Sequence, residues 1–157
     1  MTLARETLYD WLLFLHVLAA MVWVGGGVLL AVMAARVLRD PDPAAVGRFT
    51  GSLGVLGPRV LAPATVAVLG LAIGLVVESD AWDFGQLWVQ LGLGLFAAAF
   101  LVGAVWQSRT ALAATRAAAR NDDAEARRQL RRWLCGYGLI VALLVVAAWD
   151  MTTKPGL

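Results

Sequence analysis

From Trp11 to Ala35 the chain reads WLLFLHVLAAMVWVGGGVLLAVMAA. No residue in this stretch carries a formal charge, and His16 is its only titratable group. A hydrocarbon core about 30 Å thick is crossed by about 20 mostly apolar residues in a helix rising about 1.5 Å per residue. The stretch meets that requirement. It must be helical there, because lipid offers no partner to unpaired backbone groups. It reads as a retained membrane helix rather than a signal peptide. Glu6 and Asp10 follow Arg5, and the apolar run is too long for the hydrophobic region of a leader.

Three further runs follow. One extends from about Val60 to Val77, with Pro63 near its start. One extends from about Phe84 to Trp106 and includes Gln86 and Gln90. The shortest extends from about Trp133 to Trp149. The sequence therefore predicts an all-α protein, an integral membrane four-helix bundle. It forms a single transmembrane domain over 1–157, with helices at about 9–37, 58–78, 84–120 and 131–151. The third helix is expected to continue beyond the bilayer, with Asn121 or Asp122 capping the next. Composition agrees. Hydrophobic residues make up 61% and charged residues 15%, against about 45–50% and about 25% in soluble domains.

Charge placement predicts the topology. Arg36, Arg39, Arg48 and Arg59 fall in the first expected connection. Arg109, Arg116, Arg120, Arg127, Arg128, Arg131 and Arg132 fall in the third. The second, with Glu78, Asp80 and Asp83, has no Lys or Arg. Positively charged connections stay in the cytoplasm, so both termini and the acidic turn are expected outside. The setting implied is a multi-pass protein of a bacterial inner (cytoplasmic) membrane. Trp11, Trp82, Trp88 and Trp149 are expected at the outer interface, and Trp106 and Trp133 at the inner one. Trp23 falls mid-helix. Gly25, Gly26, Gly27, Gly70, Gly74, Gly92 and Gly94 are expected to let helices approach closely.

Few residues carry candidate chemistry. His16 lies about five residues into the first span. Ionisable groups there tend to face a bundle interior or a cavity, and neutral imidazole is a common ligand of haem iron or copper. His16, Trp23 and Gly27 share a helix face by their spacing, so that face is a candidate cavity wall. The plainer alternative is a hydrogen bond from His16 to a neighbouring helix. Lys154 and Asp150 are expected at the outer interface on the His16 side. Lys154 can reach an anionic group such as a haem propionate, or simply snorkel. Met21, Met33 and Met151 are soft donors, and Met151 is placed to join His16 at a copper site. Gln86 and Gln90 are candidates to bond a partner helix or a ligand. Cys135 is expected to be a small buried hydrophobe. With one cysteine and one histidine, an intrachain disulfide, a CxxC motif and a several-histidine metal site are excluded. The Arg-rich third connection lacks interleaved aromatics, so topology rather than nucleic-acid binding explains it. No Ser-His-Asp set, phosphate loop or paired-carboxylate site is legible, and redox chemistry would need a bound cofactor.

The segment from Leu15 to Gly26, LHVLAAMVWVGG, resembles the first helix of a group of small bacterial membrane proteins. The group comprises the DUF2269 family, the copper-resistance CopD domain and the HemJ type of protoporphyrinogen oxidase. The segment Leu61-Ala62-Pro63-Ala64-Thr65, followed by Gly70 and Gly74, resembles their second helix. The ending from Trp149 through Lys154-Pro155-Gly156-Leu157 resembles the Lys-Pro ending of DUF2269 and HemJ proteins. The resemblance spans essentially the whole chain, and DUF2269 is the nearest. HemJ proteins bind haem b and oxidise a porphyrinogen. The resemblance thus implies a haem-dependent oxidoreductase in which His16 and Lys154 match a functional first-helix histidine and the lysine of the ending. This chain departs from HemJ in having no third-helix histidine; Trp88, Val89 and Gln90 stand in that region. CopD-like proteins are linked to copper passage, yet the additional His and Met residues of a copper route are missing.

The expected function is cofactor binding. Haem b would lie near the outer leaflet with His16 as axial ligand, Lys154 on a propionate and Trp23 lining the pocket. The first alternative is copper handling through His16 with Met151 or Met21. The second is a non-catalytic subunit, packed in the lipid bilayer as a homo-oligomer or within a larger membrane complex.

Overall fold

The computed structural model describes residues 2–156, with side chains from residue 7 onward. Six α-helices run in chain order: α1 (Thr2–Val37), α2 (Ala45–Leu56), α3 (Ala62–Glu78), α4 (Leu87–Leu101), α5 (Ser108–Ala119) and α6 (Asp123–Thr153). Two π-helical turns complete the order. Gly57–Leu61 joins α2 to α3, and Val102–Gln107 joins α4 to α5. There is no strand among the described residues.

These pieces make four continuous helical spans, Thr7–Val37, Ala45–Glu78, Leu87–Ala119 and Asp123–Thr153, each long and apolar enough to cross a membrane. Spans of 31 to 34 residues are about 45–50 Å long at about 1.5 Å per residue. They exceed the hydrocarbon thickness of about 30 Å. This length corrects the expected boundaries. The second helix begins at Ala45 rather than near 58, and the third at Leu87 rather than at 84. Arg48, Arg109, Arg116 and the group from Arg127 to Arg132 stand in helices, not in connections. A helix keeps its backbone ladder after leaving the apolar layer, so charge marks the end of lipid contact and not the end of the helix. The third helix does run on to Ala119, and Asp122 caps α6 by accepting from the Glu125 N–H at 3.0 Å.

The two π turns differ in sequence. Pro58 lies inside the first and Pro63 just beyond it. A helical proline has no N–H and crowds the carbonyl four residues back, so the ladder shifts to five-residue spacing and Ala62 N–H bonds Gly57 O. The second has no proline; Ser108 N–H reaches Gly103 O, again five residues back.

α1 packs on α3, α6 packs on α4 and α5, and α2 packs on α5, whereas α3 and α4 make no substantial contact. The buried core gathers towards the Arg-rich end. It comprises Leu30 and Ala34 of α1, Val46, Phe49 and Leu53 of α2, Ala99 of α4, Ala117 of α5, and Ala126, Leu130, Trp133, Tyr137 and Ile140 of α6. Trp133 stacks on Tyr137 at 5.9 Å between centroids and is 4% exposed. It is a core residue, not the interface residue expected. Close approaches occur where glycine faces a large ring: a Cβ on Gly27 would overlap Tyr137, and one on Gly136 would come within 2.9 Å of Trp106. Gly25, Gly70 and Gly94 face open space and mediate no close approach. Cys135 lies on the exposed surface of α6, against the expectation of burial.

Both ends of the bundle are fastened by backbone acceptors. At the Arg-rich end Arg127 bonds the carbonyls of Val37, Leu38, Asp40 and Asp42, closing off α1 and its connection, while its Nε bonds Asp123 at 2.7 Å. At the other end Gln86 donates to Ala81 O and accepts from the Trp88 indole, and Gln90 donates to Phe84 O. Both glutamines shape the acidic turn rather than bonding a partner helix.

Candidate functional site

A cavity lies towards each end of the bundle. The smaller, about 300 Å³, lies near the acidic turn. α1 contributes Tyr9, Leu13 and His16, α3 contributes Ile73 and Val76, and α4 contributes Trp88 and Gly92. The end of α6 and the residue after it contribute Met151 and Lys154. His16, Met151 and Lys154, singled out from the sequence, therefore meet at one place although the last two lie far along the chain from the first.

His16 is held by one contact. Its Nδ1 lies 3.1 Å from the carbonyl oxygen of Val68 on α3. A carbonyl only accepts, so Nδ1 carries the proton and Nε2 is left as the unprotonated nitrogen with its lone pair. The ring makes no other hydrogen bond among the described residues. This is the arrangement in which a histidine ligates a metal, with its other ring N–H fixed by a backbone carbonyl. It equally fulfils the plainer expectation of a bond to a neighbouring helix.

Lys154 closes α6 in a left-handed conformation (φ 45°), its N–H bonding Asp150 O at 2.8 Å. The ammonium sits 3.8 Å from the centroid of Trp82 and 5.7 Å from that of Trp88. Those two indoles meet edge to face at 5.2 Å. The lysine is thus seated at the cavity mouth by cation–π attraction rather than extended to solvent.

Asp150 was expected at the interface, and the structure buries it. It is 1% exposed, both carboxylate oxygens lack a partner among the described residues, and it faces Gly92 of α4. No local pattern marks it, because its burial comes from a helix some sixty positions earlier in the chain.

The larger cavity, about 700 Å³, lies between the second and third spans towards the Arg-rich end. Trp23 and Gly27 line this cavity and not that of His16. They share a helix face with His16, but the seven positions from His16 to Trp23 amount to about 10 Å along the axis. Trp23 instead packs against Phe96, 5.6 Å away. Met21 and Met33 lie on the exposed surface, away from both cavities. No cluster of three or more His, Cys, Asp and Glu side chains suited to a metal occurs among the described residues.

Four helices long and apolar enough to cross a membrane define a multi-pass integral membrane protein of the helical-bundle class. The chain belongs to the DUF2269 family, described as predicted integral membrane proteins, whose pattern matches residues 10–155. No match was found among curated proteins or among solved structures.

Proposed function

We propose that this protein binds a cofactor in the smaller cavity, with His16 as the ligating residue and haem b as the group. The observation that carries the reading is the bond from His16 Nδ1 to Val68 O. It fixes the tautomer that leaves Nε2 as a donor to a metal in a cavity wall. Lys154 supports it as a cationic side chain lining the cavity, suited to an anionic substituent. Trp88 would take the lining role expected of Trp23. A cavity of about 300 Å³ is at the low end for small-molecule sites and smaller than a whole porphyrin. When bound, haem supplies one-electron chemistry; the chain itself ligates, orients and shields it. In the membrane, the Arg-rich end would face the cytoplasm and the His16 cavity the outer leaflet.

A second reading, copper handling, has one observation in its favour: Met151 lines the same cavity as His16. The two readings separate in one experiment. Purified protein is titrated with haemin and, separately, with copper(I), beside His16→Ala and Met151→Leu. Haem binding lost in His16→Ala and kept in Met151→Leu supports the haem site. Copper binding lost in both, with no haem uptake, supports the copper site.

A further inference from the structure

The larger cavity has its own chemistry, separate from that of His16. Among the described residues its walls carry no charge. Most of its polar side chains are satisfied by backbone: Thr50 by Gly47 O, Thr65 by Leu61 O, Ser108 by Gly103 O, Thr115 by Ala111 O and Tyr137 by Val24 O. Gln107 differs in that its amide is enclosed and still unpartnered. It is 9% exposed, and neither its amide nitrogen nor its amide oxygen has a partner among the described residues. A buried amide left unpaired is costly, so it marks where a bound group belongs.

The space itself is kept open by the sequence. Gly51, Gly54 and Gly57 all line the cavity, and a Cβ on any of them would meet nothing within 4 Å. Glycine is disfavoured inside helices, and no neighbouring helix requires it at these positions. Two π-helical turns, a feature frequent at functional sites, face each other across the same space through Pro58 and Leu61 on one side and Gly103 and Gln107 on the other. Val66 and Phe100 lie on the exposed surface and still line the cavity. They put its mouth on the lipid-facing side, at the seam where α3 and α4 do not pack.

We propose that this cavity binds a neutral lipophilic molecule with a carbonyl headgroup, entering from the bilayer, whose carbonyl accepts from the Gln107 amide. The uncharged walls exclude an ionised head, because a bare charge in an apolar site is prohibitively costly without a partner. The stacked Trp133 and Tyr137 rings form part of the wall. Two sources share this chemistry, a lipid quinone and a diacylglycerol.

The test is native mass spectrometry of the full chain with a short-tailed ubiquinone, with dioctanoylglycerol, or with ionised octanoate. Two variants accompany it. Gln107→Leu removes the amide at similar volume, and Gly54→Leu adds bulk at a position lining the cavity where a Cβ meets nothing within 4 Å. The expected result is a one-to-one adduct with the quinone or the diacylglycerol, the preferred probe revealing the source. Affinity falls about tenfold or more in Gln107→Leu, the scale of one lost hydrogen bond in an apolar site, and falls as far in Gly54→Leu, while both variants keep the wild-type melting temperature or exceed it. An adduct only with octanoate, no adduct with either neutral probe, or equal binding by wild type and both variants overturns the proposal.

Discussion

The hydroxyl of Tyr137 occupies the space that a Cβ on Gly27 would need, and it donates to the carbonyl of Val24 at 3.2 Å. This contact pins α6 to α1 beside the larger cavity. Gly27→Ala must displace the tyrosine ring, and overpacking of this kind costs about 1–3 kcal/mol. Gly25, two residues earlier, faces open space. Gly25→Ala is expected to leave stability unchanged or slightly raised. Reversible unfolding in mixed micelles compares the two, and equal losses would contradict the packing described.

Arg127 offers a second prediction. Its guanidinium bonds Val37 O at 3.4 Å, Leu38 O at 3.3 Å, Asp40 O at 2.8 Å and Asp42 O at 3.2 Å. The last carbonyls of a helix have no partner within it, and here a residue of α6 supplies one. Arg127→Ala is expected to lower stability by about 2 kcal/mol, the scale for hydrogen bonds to a charged group. Arg127→Lys should recover less than half, since an ammonium cannot reproduce the planar fork. Full recovery by lysine, read from the same unfolding curves, would mean that charge alone matters.

The connection that Arg127 secures also carries a pH-dependent pair. Arg48 bonds the Asp42 carboxylate at 2.7 Å, and the Ala44 N–H bonds its other oxygen at 2.9 Å. These partners, the arginine first, hold Asp42 below its ordinary range. A carboxylate lowered in the folded state contributes above its unfolded value and loses that contribution as pH falls through the folded one. The pair is therefore expected to persist at pH 5 and to open in stronger acid. Arg48→Ala should move the Asp42 titration, followed by carboxyl NMR, upward towards ordinary aspartate. An unmoved titration would remove Arg48 as the cause.

Asp150 should behave in the opposite sense to most buried residues. Its carboxylate is enclosed without a partner among the described residues, and an unpaired buried charge opposes folding. Asp150→Asn keeps the shape and removes the charge. It is expected to leave stability equal or higher by about 1 kcal/mol or more. A clear loss of stability would reveal a partner for the carboxylate.

The membrane spans were legible because lipid imposes a local rule: a run such as Trp11 to Ala35 must be apolar from end to end. The meeting of His16, Met151 and Lys154 was legible because all three lie near span ends that the alternating topology brings to one side. The start of the second helix at Ala45 was not, since Arg48, Pro58 and four glycines between 47 and 57 read as a connection. Nor did helical periodicity separate Trp23 from His16, because a face has depth as well as direction. The burial of Asp150, and Gln107 altogether, escaped notice for a further reason. Their interest lies in what surrounds them, and packing partners distant in the chain leave no local signature.

The central claim, that His16 ligates haem in the smaller cavity, is tested most directly by one absorption spectrum. The membrane-purified protein, supplemented with haemin and freed of excess, is measured air-oxidised and dithionite-reduced beside His16→Ala. A Soret band with sharpened α and β bands on reduction, absent from a folded His16→Ala, is the predicted result. A featureless spectrum from the wild type, or a Soret band of equal strength in the variant, would contradict it.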